Sequence, residues 1–170
     1  MAAKNEADIK KEVILVTGGL GFIGANFVEY YLKNKDYHIV NLDKCTYAVD
    51  PKNTEQFDAH ENYTHVFGDI SDKDLVEGLF KKYDIRKVIH FAAESHVDNS
   101  IADPEPFLFS NFVGTARLLH AAYRHWMRGP KAFKEGYENS RFHHVSTDEV
   151  YGELGDEGYF TEETPYAPNS

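Results

Sequence analysis

The sequence predicts an α/β fold, a doubly wound parallel sheet with helices packed on it, from three observations. Five short apolar runs alternate with stretches of helical periodicity. Closely spaced glycines follow the first run directly. No internal repeat or low-complexity segment interrupts the alternation. Strand–helix alternation of this kind makes a parallel sheet with right-handed crossovers. The glycine turn after its first strand marks the sheet as Rossmann-type.

The elements follow in order. Val13-Ile14-Leu15-Val16 is short, β-branched and uninterrupted, as a strand buried on both faces should be. After the glycines, Phe22, Ile23, Phe27, Tyr30 and Tyr31 recur at helical spacing. Residues 38–42 form a second strand that ends at Asp43, and residues 50–62 read as a loop with at most a short helix. Residues 63–67 form a third strand, ending at Gly68-Asp69. Ser71 then reads as an N-cap, with Asp72 and Asp74 in the first turn. Leu75, Val76, Leu79, Phe80 and Tyr83 form the apolar stripe of that helix. Residues 87–91 form a fourth strand. Asp103-Pro104, with Glu105 behind it, starts a helix carrying Phe107, Leu108, Phe112, Leu119, Ala122, Tyr123 and Trp126. Residues 128–140 are a polar connection, and 142–146 a fifth strand. The tail from 153 to 170 is rich in Gly, Pro and acidic residues and does not read as a sixth unit.

The chain has 170 residues, enough for one domain with a real core. Its formal net charge of −10 is spread along the sequence. That argues against nucleic acid, whose affinity comes largely from Lys and Arg on phosphates, and against an anionic membrane surface. Cys45 is the only cysteine, so no internal disulfide is possible, as expected in a reducing compartment. Residues 1–12 are polar and lack a signal-peptide core, and no later run is long enough to span a bilayer. A soluble, cytoplasmic protein is expected.

In Thr17-Gly18-Gly19-Leu20-Gly21-Phe22-Ile23-Gly24 the glycines sit between a predicted strand and a helix, the context that makes them a dinucleotide cradle. Gly18 and Gly19 allow the tight turn. Gly21 lets a pyrophosphate approach without meeting a Cβ, and Gly24 lets the helix pack closely. The free N–H groups of the helix N-terminus then face the anion. Asp43 ends the second strand about twenty residues on, where a carboxylate accepts both adenosine ribose hydroxyls and repels a 2′-phosphate. NAD is therefore expected over NADP, with Lys44 alongside as a countervailing charge. Cys45 reads as a small packed residue. Asp69, at the end of the third strand, is placed either to meet the adenine amino group or to stand as an unliganded loop carboxylate. Ala92 and Ala93 are small, which suits both a passing cofactor and tight strand–helix packing.

Thr147, Asp148 and Glu149 follow the fifth strand, on the edge where ligands bind in such sheets. Adjacent carboxylates in a partly closed site are costly to ionise together, so one donates a proton while the other accepts one. Two acids at a strand end also fit a plain solvated terminus. His90, His96, His143 and His144 have no metal-ligand spacing with the cysteine or the carboxylates and read as strand and packing histidines.

On these residues the chain resembles the extended short-chain dehydrogenase/reductase family and, within it, the dTDP-glucose 4,6-dehydratases. The matching runs are the glycine turn, Asp43-Lys44-Cys45-Thr46-Tyr47-Ala48, Gly68-Asp69-Ile70, Ala92-Ala93-Glu94-Ser95-His96-Val97-Asp98, Ser110-Asn111-Phe112-Val113-Gly114-Thr115 and Ser146-Thr147-Asp148-Glu149-Val150-Tyr151-Gly152. They appear in family order and cover nearly the whole chain. The glycines mark only the superfamily. Thr147-Asp148-Glu149 is more selective, because related epimerases carry small or hydroxyl residues at both acidic positions, and GDP-mannose dehydratases usually lack the Asp.

The resemblance implies a reaction on dTDP-glucose with NAD as cofactor and no metal. A hydride leaves C4, water leaves across C5 and C6, and the hydride returns to C6, giving dTDP-4-keto-6-deoxyglucose. It implies Glu149 as the base at C5, Asp148 as the acid on the departing C6 hydroxyl, and Thr147 as a hydrogen-bond partner of the C4 oxygen. Implied cofactor contacts are Gly18, Gly21, Phe22, Ile23 and Gly24 in the turn, and Asp43, Lys44 and Thr46 after the second strand. Asp69 and Ile70 follow the third strand, Ala92, Ala93 and Ser95 the fourth, and Ser110 lies on the long helix. Ser95 also faces the substrate. Asn99 stands where the family often has Arg, and no role carries over to it. A homodimer is implied, built on the helix that holds Phe112 to Trp126.

One departure matters. The family's oxidation step uses a Tyr-x-x-x-Lys pair, which would begin just after Ser170; neither Tyr151 nor Tyr166 has a lysine four places on. The chain is therefore expected to be the N-terminal part of a dehydratase. Its expected organisation is a polar extension over 1–12, a partial NAD-binding domain over 13–152, and a loop over 153–170. The catalytic helix and the C-terminal substrate domain are expected to lie outside it. A related epimerase or decarboxylase is the alternative among enzymes, with Asp148-Glu149 against it. A non-catalytic NAD-binding module is the alternative outside them.

Overall fold

A computed structural model describes residues 11–47 and 49–169. Most of the expected polar extension, together with Ala48 and Ser170, lies outside the described residues. β1 (Val13–Thr17) runs through the middle of the protein, with every residue buried. Successive strand side chains point to opposite faces, so Val13 and Leu15 enter one core and Ile14 and Val16 the other. That is why Val13–Val16 is apolar throughout rather than alternating.

Five parallel strands follow the order β3-β2-β1-β4-β7, with β2 His38–Asp43, β3 Tyr63–Phe67, β4 Lys87–His90 and β7 Arg141–His144. The chain adds β2 and β3 on one side of β1, then returns to place β4 and β7 on the other. The strand order therefore reverses between β1 and β4, and a crevice opens there beyond the strand C-termini.

One face is covered by α1 (Phe22–Asn34) and α2 (Pro51–Asp58), through Ala25, Val28 and Phe57. The other is covered by α3 (Lys73–Tyr83) and α6 (Thr115–Trp126), through Val76, Leu79, Phe80, Leu118 and Trp126. Trp126 also donates its indole N–H to the carbonyl of Ile85 at 2.6 Å. Truncating Phe80 or Trp126 to Ala should cost about 3–5 kcal/mol of stability.

Several local expectations are corrected. The apolar repeat of α1 faces the core only in part: Phe27 and Tyr31 are half-buried against it, Phe22, Ile23 and Tyr30 are exposed, and Gly24, Ala25 and Val28 supply the fully buried positions. Phe22 and Ile23 sit in the first turn, at the rim of the sheet. The cap of α3 is Asp72 rather than Ser71: its Oδ1 accepts from the N–H groups of Asp74 and Leu75, while Ser71 lies one residue earlier and donates its N–H to Asp69 at 2.8 Å. The segment read as a polar connection holds a small antiparallel pair, β5 (Met127–Gly129) with β6 (Ala132–Phe133). The single long helix divides. After α4 (Val97–Ala102), a one-turn α5 (Glu105–Phe107) leads into a π-helical stretch, Leu108–Gly114, and then α6. Such wide turns occur often at functional sites. Beyond the short 3₁₀ turn Asp148–Tyr151, residues 153–169 form no strand or helix, and Tyr151 packs on Phe160 and Tyr166.

Candidate functional site

A cleft opens at the strand-order reversal. It takes Gly18 and Gly21 from the turn after β1, Leu42, Asp43, Lys44, Thr46 and Val49 from the end of β2, and Gly68, Asp69 and Ile70 from β3. Phe91, Ala92, Ala93 and Glu94 come from β4, and Ser110 from the π-helical stretch.

The turn is shaped by contacts that leave no room for side chains. Gly18 has φ +68°, and a Cβ there would lie 2.6 Å from the backbone nitrogen of Ala92. A Cβ on Gly24 would lie 2.2 Å from the Gly18 carbonyl, so this glycine lets α1 close on the turn rather than on the sheet. Gly21 differs: a Cβ there would meet only the Gly18 carbonyl, at 3.5 Å, and would otherwise fill open space. Gly21 is also the N-cap of α1, with no side chain capping the helix and no acidic residue in its first turn. The positive end of the helix is left to an outside anion. This arrangement fits a dinucleotide pyrophosphate.

Two buried side chains from β2 hold the turn in place. Asn41 accepts from the Gly19 N–H through Oδ1 at 2.9 Å and donates to the Tyr63 hydroxyl at 2.8 Å. Asp43 accepts from the Leu20 N–H at 3.0 Å and the Cys45 N–H at 2.8 Å. Its carboxylate is therefore neither a solvated strand end nor wholly free. One oxygen braces the turn, and each oxygen keeps a lone pair for a hydroxyl. Cys45 is exposed rather than packed, and partial burial of its sulfur together with the Asp43 carboxylate pushes the thiol up, away from reactivity.

Asp69 is half-buried. Burial pushes its carboxyl up, but the Ser71 N–H and hydroxyl and the Lys44 ammonium outweigh burial and hold it below its ordinary value. Lys44 reaches across the cleft mouth to Asp69 at 3.5 Å and to Glu94 at 3.3 Å.

Beneath the cleft, His90 is buried between two hydroxyls, Thr17 Oγ1 at 2.6 Å from Nδ1 and Thr115 Oγ1 at 2.9 Å from Nε2. Burial, with His144 beside it, lowers its pKa to about 4, so it is neutral at physiological pH. It is the packing histidine expected from the sequence. His96, His143 and His144 are exposed instead. No cluster of three metal-ligating side chains occurs among the described residues.

Of the expected cofactor contacts, ten line the cleft: Gly18, Gly21, Asp43, Lys44, Thr46, Asp69, Ile70, Ala92, Ala93 and Ser110. Gly24 lies behind the turn, while Phe22, Ile23 and Ser95 are exposed outside the lining. Thr147, Asp148 and Glu149 follow the edge strand β7 on the same sheet edge, exposed and outside the lining. Thr147 Oγ1 accepts from the Glu149 N–H at 3.3 Å and caps the 3₁₀ turn. Leu42, Val49, Gly68, Phe91 and Glu94 were not anticipated as lining residues. A signal for Glu94 was present, since it stands directly after Ala92-Ala93 in the quoted motif.

The GDP-mannose 4,6 dehydratase family model matches residues 15–170. The chain belongs to this family. It is 47% identical over 156 residues to the dTDP-glucose 4,6-dehydratase of Xanthomonas campestris pv. campestris, covering 92% of this chain and 43% of that protein. It is 48% identical over 160 residues to the dTDP-glucose 4,6-dehydratase of Mycolicibacterium smegmatis, with the same coverage. The crystal structure of a dTDP-glucose 4,6-dehydratase from Streptomyces venezuelae, with NAD and TYD bound, superposes with TM-score 0.78 at 38% identity. It matches 92% of this chain and 46% of that one. The UDP-Glc/GlcNAc 4-epimerase of Campylobacter jejuni superposes with TM-score 0.77 at 26% identity, over 93% and 44% of the two chains. The Rossmann-type architecture is thus shared by dehydratase and epimerase members. The chain spans less than half the length of these relatives. Among the described residues, no helix is long and apolar enough to cross a membrane.

Proposed function

We propose that this chain is the NAD-binding half of a cytoplasmic dTDP-glucose 4,6-dehydratase, and that it carries the acid and base of the elimination. The observation that carries the reading is the convergence of three features on one sheet edge. They are the uncapped helix terminus at Gly21, the Asp43 carboxylate at the end of β2, and Thr147-Asp148-Glu149 after β7. The Xanthomonas and Mycolicibacterium relatives bear the dehydratase name, and the Streptomyces enzyme holds NAD and TYD.

When bound, NAD supplies a hydride acceptor and donor. The uncapped N–H groups in the first turn of α1 would hold its pyrophosphate, Asp43 and Thr46 its adenosine ribose, and Asp69 with Ile70 its adenine. Ala92, Ala93 and Ser110, which line the cleft, would lie alongside it. Thr147 donates to the C4 oxygen. Once C4 is a ketone, the C5 proton is acidic, and the Glu149 carboxylate takes it. The C6–O bond breaks as Asp148 delivers a proton to the departing hydroxyl, which leaves as water. These are general acid and base steps, each contributing about 10²–10⁴-fold. The chain spans less than half the length of its dehydratase relatives, and the remaining groups of the oxidation step are assigned to the part it does not span. The exposed apolar residues Leu108, Phe112, Leu119 and Tyr123 belong in this reading to a homodimer interface.

The test is the mass of the product made from dTDP-glucose by the full-length protein. The dehydratase reading expects a sugar nucleotide lighter by one water, with no net consumption of NAD. A product of unchanged mass is the epimerase outcome and overturns the reading.

A further inference from the structure

Among the residues that line the cleft, Lys44 is the only cation. It follows Asp43 directly, beside the position of an adenosine ribose. A cation at that point ordinarily welcomes the 2′-phosphate of NADP. Here its ammonium is already held, 3.3 Å from Glu94 Oε1 and 3.5 Å from Asp69 Oδ2. The Glu94 side chain is 13% exposed. Its backbone is clamped in both directions by Asn111, whose Oδ1 accepts from the Glu94 N–H and whose Nδ2 donates to the Glu94 carbonyl, each at 2.8 Å. The Tyr47 hydroxyl lies 3.5 Å from the second Glu94 oxygen. Glu94 is thus a fixed anchor, and Lys44 is the side chain that bends to it.

We propose that Glu94, with Asp69, sets the cofactor preference by sequestering Lys44 away from the ribose 2′ position. The inference rests on the dinucleotide reading of the cleft and adds a residue to it. A 2′-phosphate carries nearly two negative charges at neutral pH. To neutralise it, Lys44 must leave two carboxylates, one of them largely buried. An uncompensated carboxylate in such a place is costly. Without Lys44, the phosphate meets Asp43 alone and is repelled. NAD, with hydroxyls at this position, asks nothing of Lys44. The preference therefore depends on the partner of the lysine as much as on Asp43.

The experiment measures equilibrium dissociation constants of NAD and NADP for the full chain and for Glu94→Gln, Lys44→Met and the double variant. Glu94→Gln keeps the backbone bonds to Asn111 and removes the nearer of the two carboxylates that hold the lysine, leaving Asp69 alone to restrain it. Its NADP-to-NAD ratio of dissociation constants should narrow about tenfold, the order expected of one charge-assisted hydrogen bond. NAD affinity should change less than about threefold on the same scale. The narrowing should vanish in the double variant and shrink with added salt. An unchanged ratio in Glu94→Gln, or a narrowing that survives loss of the lysine, overturns the proposal. Lys44→Met alone decides the matter even if Glu94→Gln does not fold. An unchanged NADP-to-NAD ratio supports sequestration, whereas a further tenfold loss of NADP relative to NAD means that Lys44 already serves the phosphate and overturns it. If the unaltered chain binds neither dinucleotide, the cofactor reading itself fails, an outcome distinct from an unchanged ratio.

Discussion

Asp43 Oδ2 accepts the backbone N–H of Leu20 at 3.0 Å, tying the end of β2 to the glycine turn after β1. The residue proposed to hold the ribose is thus also one that shapes the pyrophosphate cradle. Asp43→Ala removes the ribose acceptor and the brace together. NAD affinity should fall about tenfold or more, as for loss of a hydrogen bond to a charged group. Titration with NAD checks this, and equal binding of NAD and NADP by the unaltered chain would contradict the role given to Asp43.

His90 yields an expectation in pH. Its folded pKa, about 4, lies below its ordinary value of about 6.5, so between these values the unfolded chain binds the extra proton. Stability from this group is complete above about pH 6.5, falls as the pH drops toward 4, and is fully lost below that. The loss is on the order of 3 kcal/mol. Urea midpoints measured across this window should fall with acid, and His90→Gln should flatten the slope. The same slope in both proteins would show that His90 is not the group responsible.

Association is expected from the face of the long helical segment. Leu108 is 60% exposed and Phe112 72%, large values for apolar residues on an ordered helix. The chain should dimerise or aggregate, and Phe112→Glu with Leu108→Glu should raise the monomer fraction in sedimentation or light scattering. A monodisperse monomer at high concentration would contradict a role for this face in association.

Much of this was legible in the sequence because the signals are local. The run Val13–Val16 buries both faces and so is apolar at every position, and Gly24 is required by contacts within the turn itself. What escaped depends on packing between distant elements. Asn41 looks like any strand residue, yet it is buried because Gly19 and Tyr63 both use its amide. The π-helical stretch Leu108–Gly114 has no distinct apolar period to betray it. Ser71 and Asp72 are both good caps by residue type, and only the position at which the helix starts, Lys73, makes Asp72 the one that caps it. Glu94 stood in a motif but gained a role only when Lys44 reached it from β2.

The central claim concerns Glu149, and the most direct measurement is deuterium entry at C5. The full-length protein is given dTDP-glucose in deuterium oxide, and reduced nicotinamide is followed by absorbance. In Glu149→Gln, C4 oxidation should continue, so the reduced nicotinamide should accumulate, while deuterium entry at C5 should slow by about 10²–10⁴-fold. Asp148→Asn should lose less if water replaces the acid. Deuterium entering at C5 as fast in Glu149→Gln as in the unaltered enzyme would mean that another group takes the proton, and the role of Thr147-Asp148-Glu149 proposed here would be wrong.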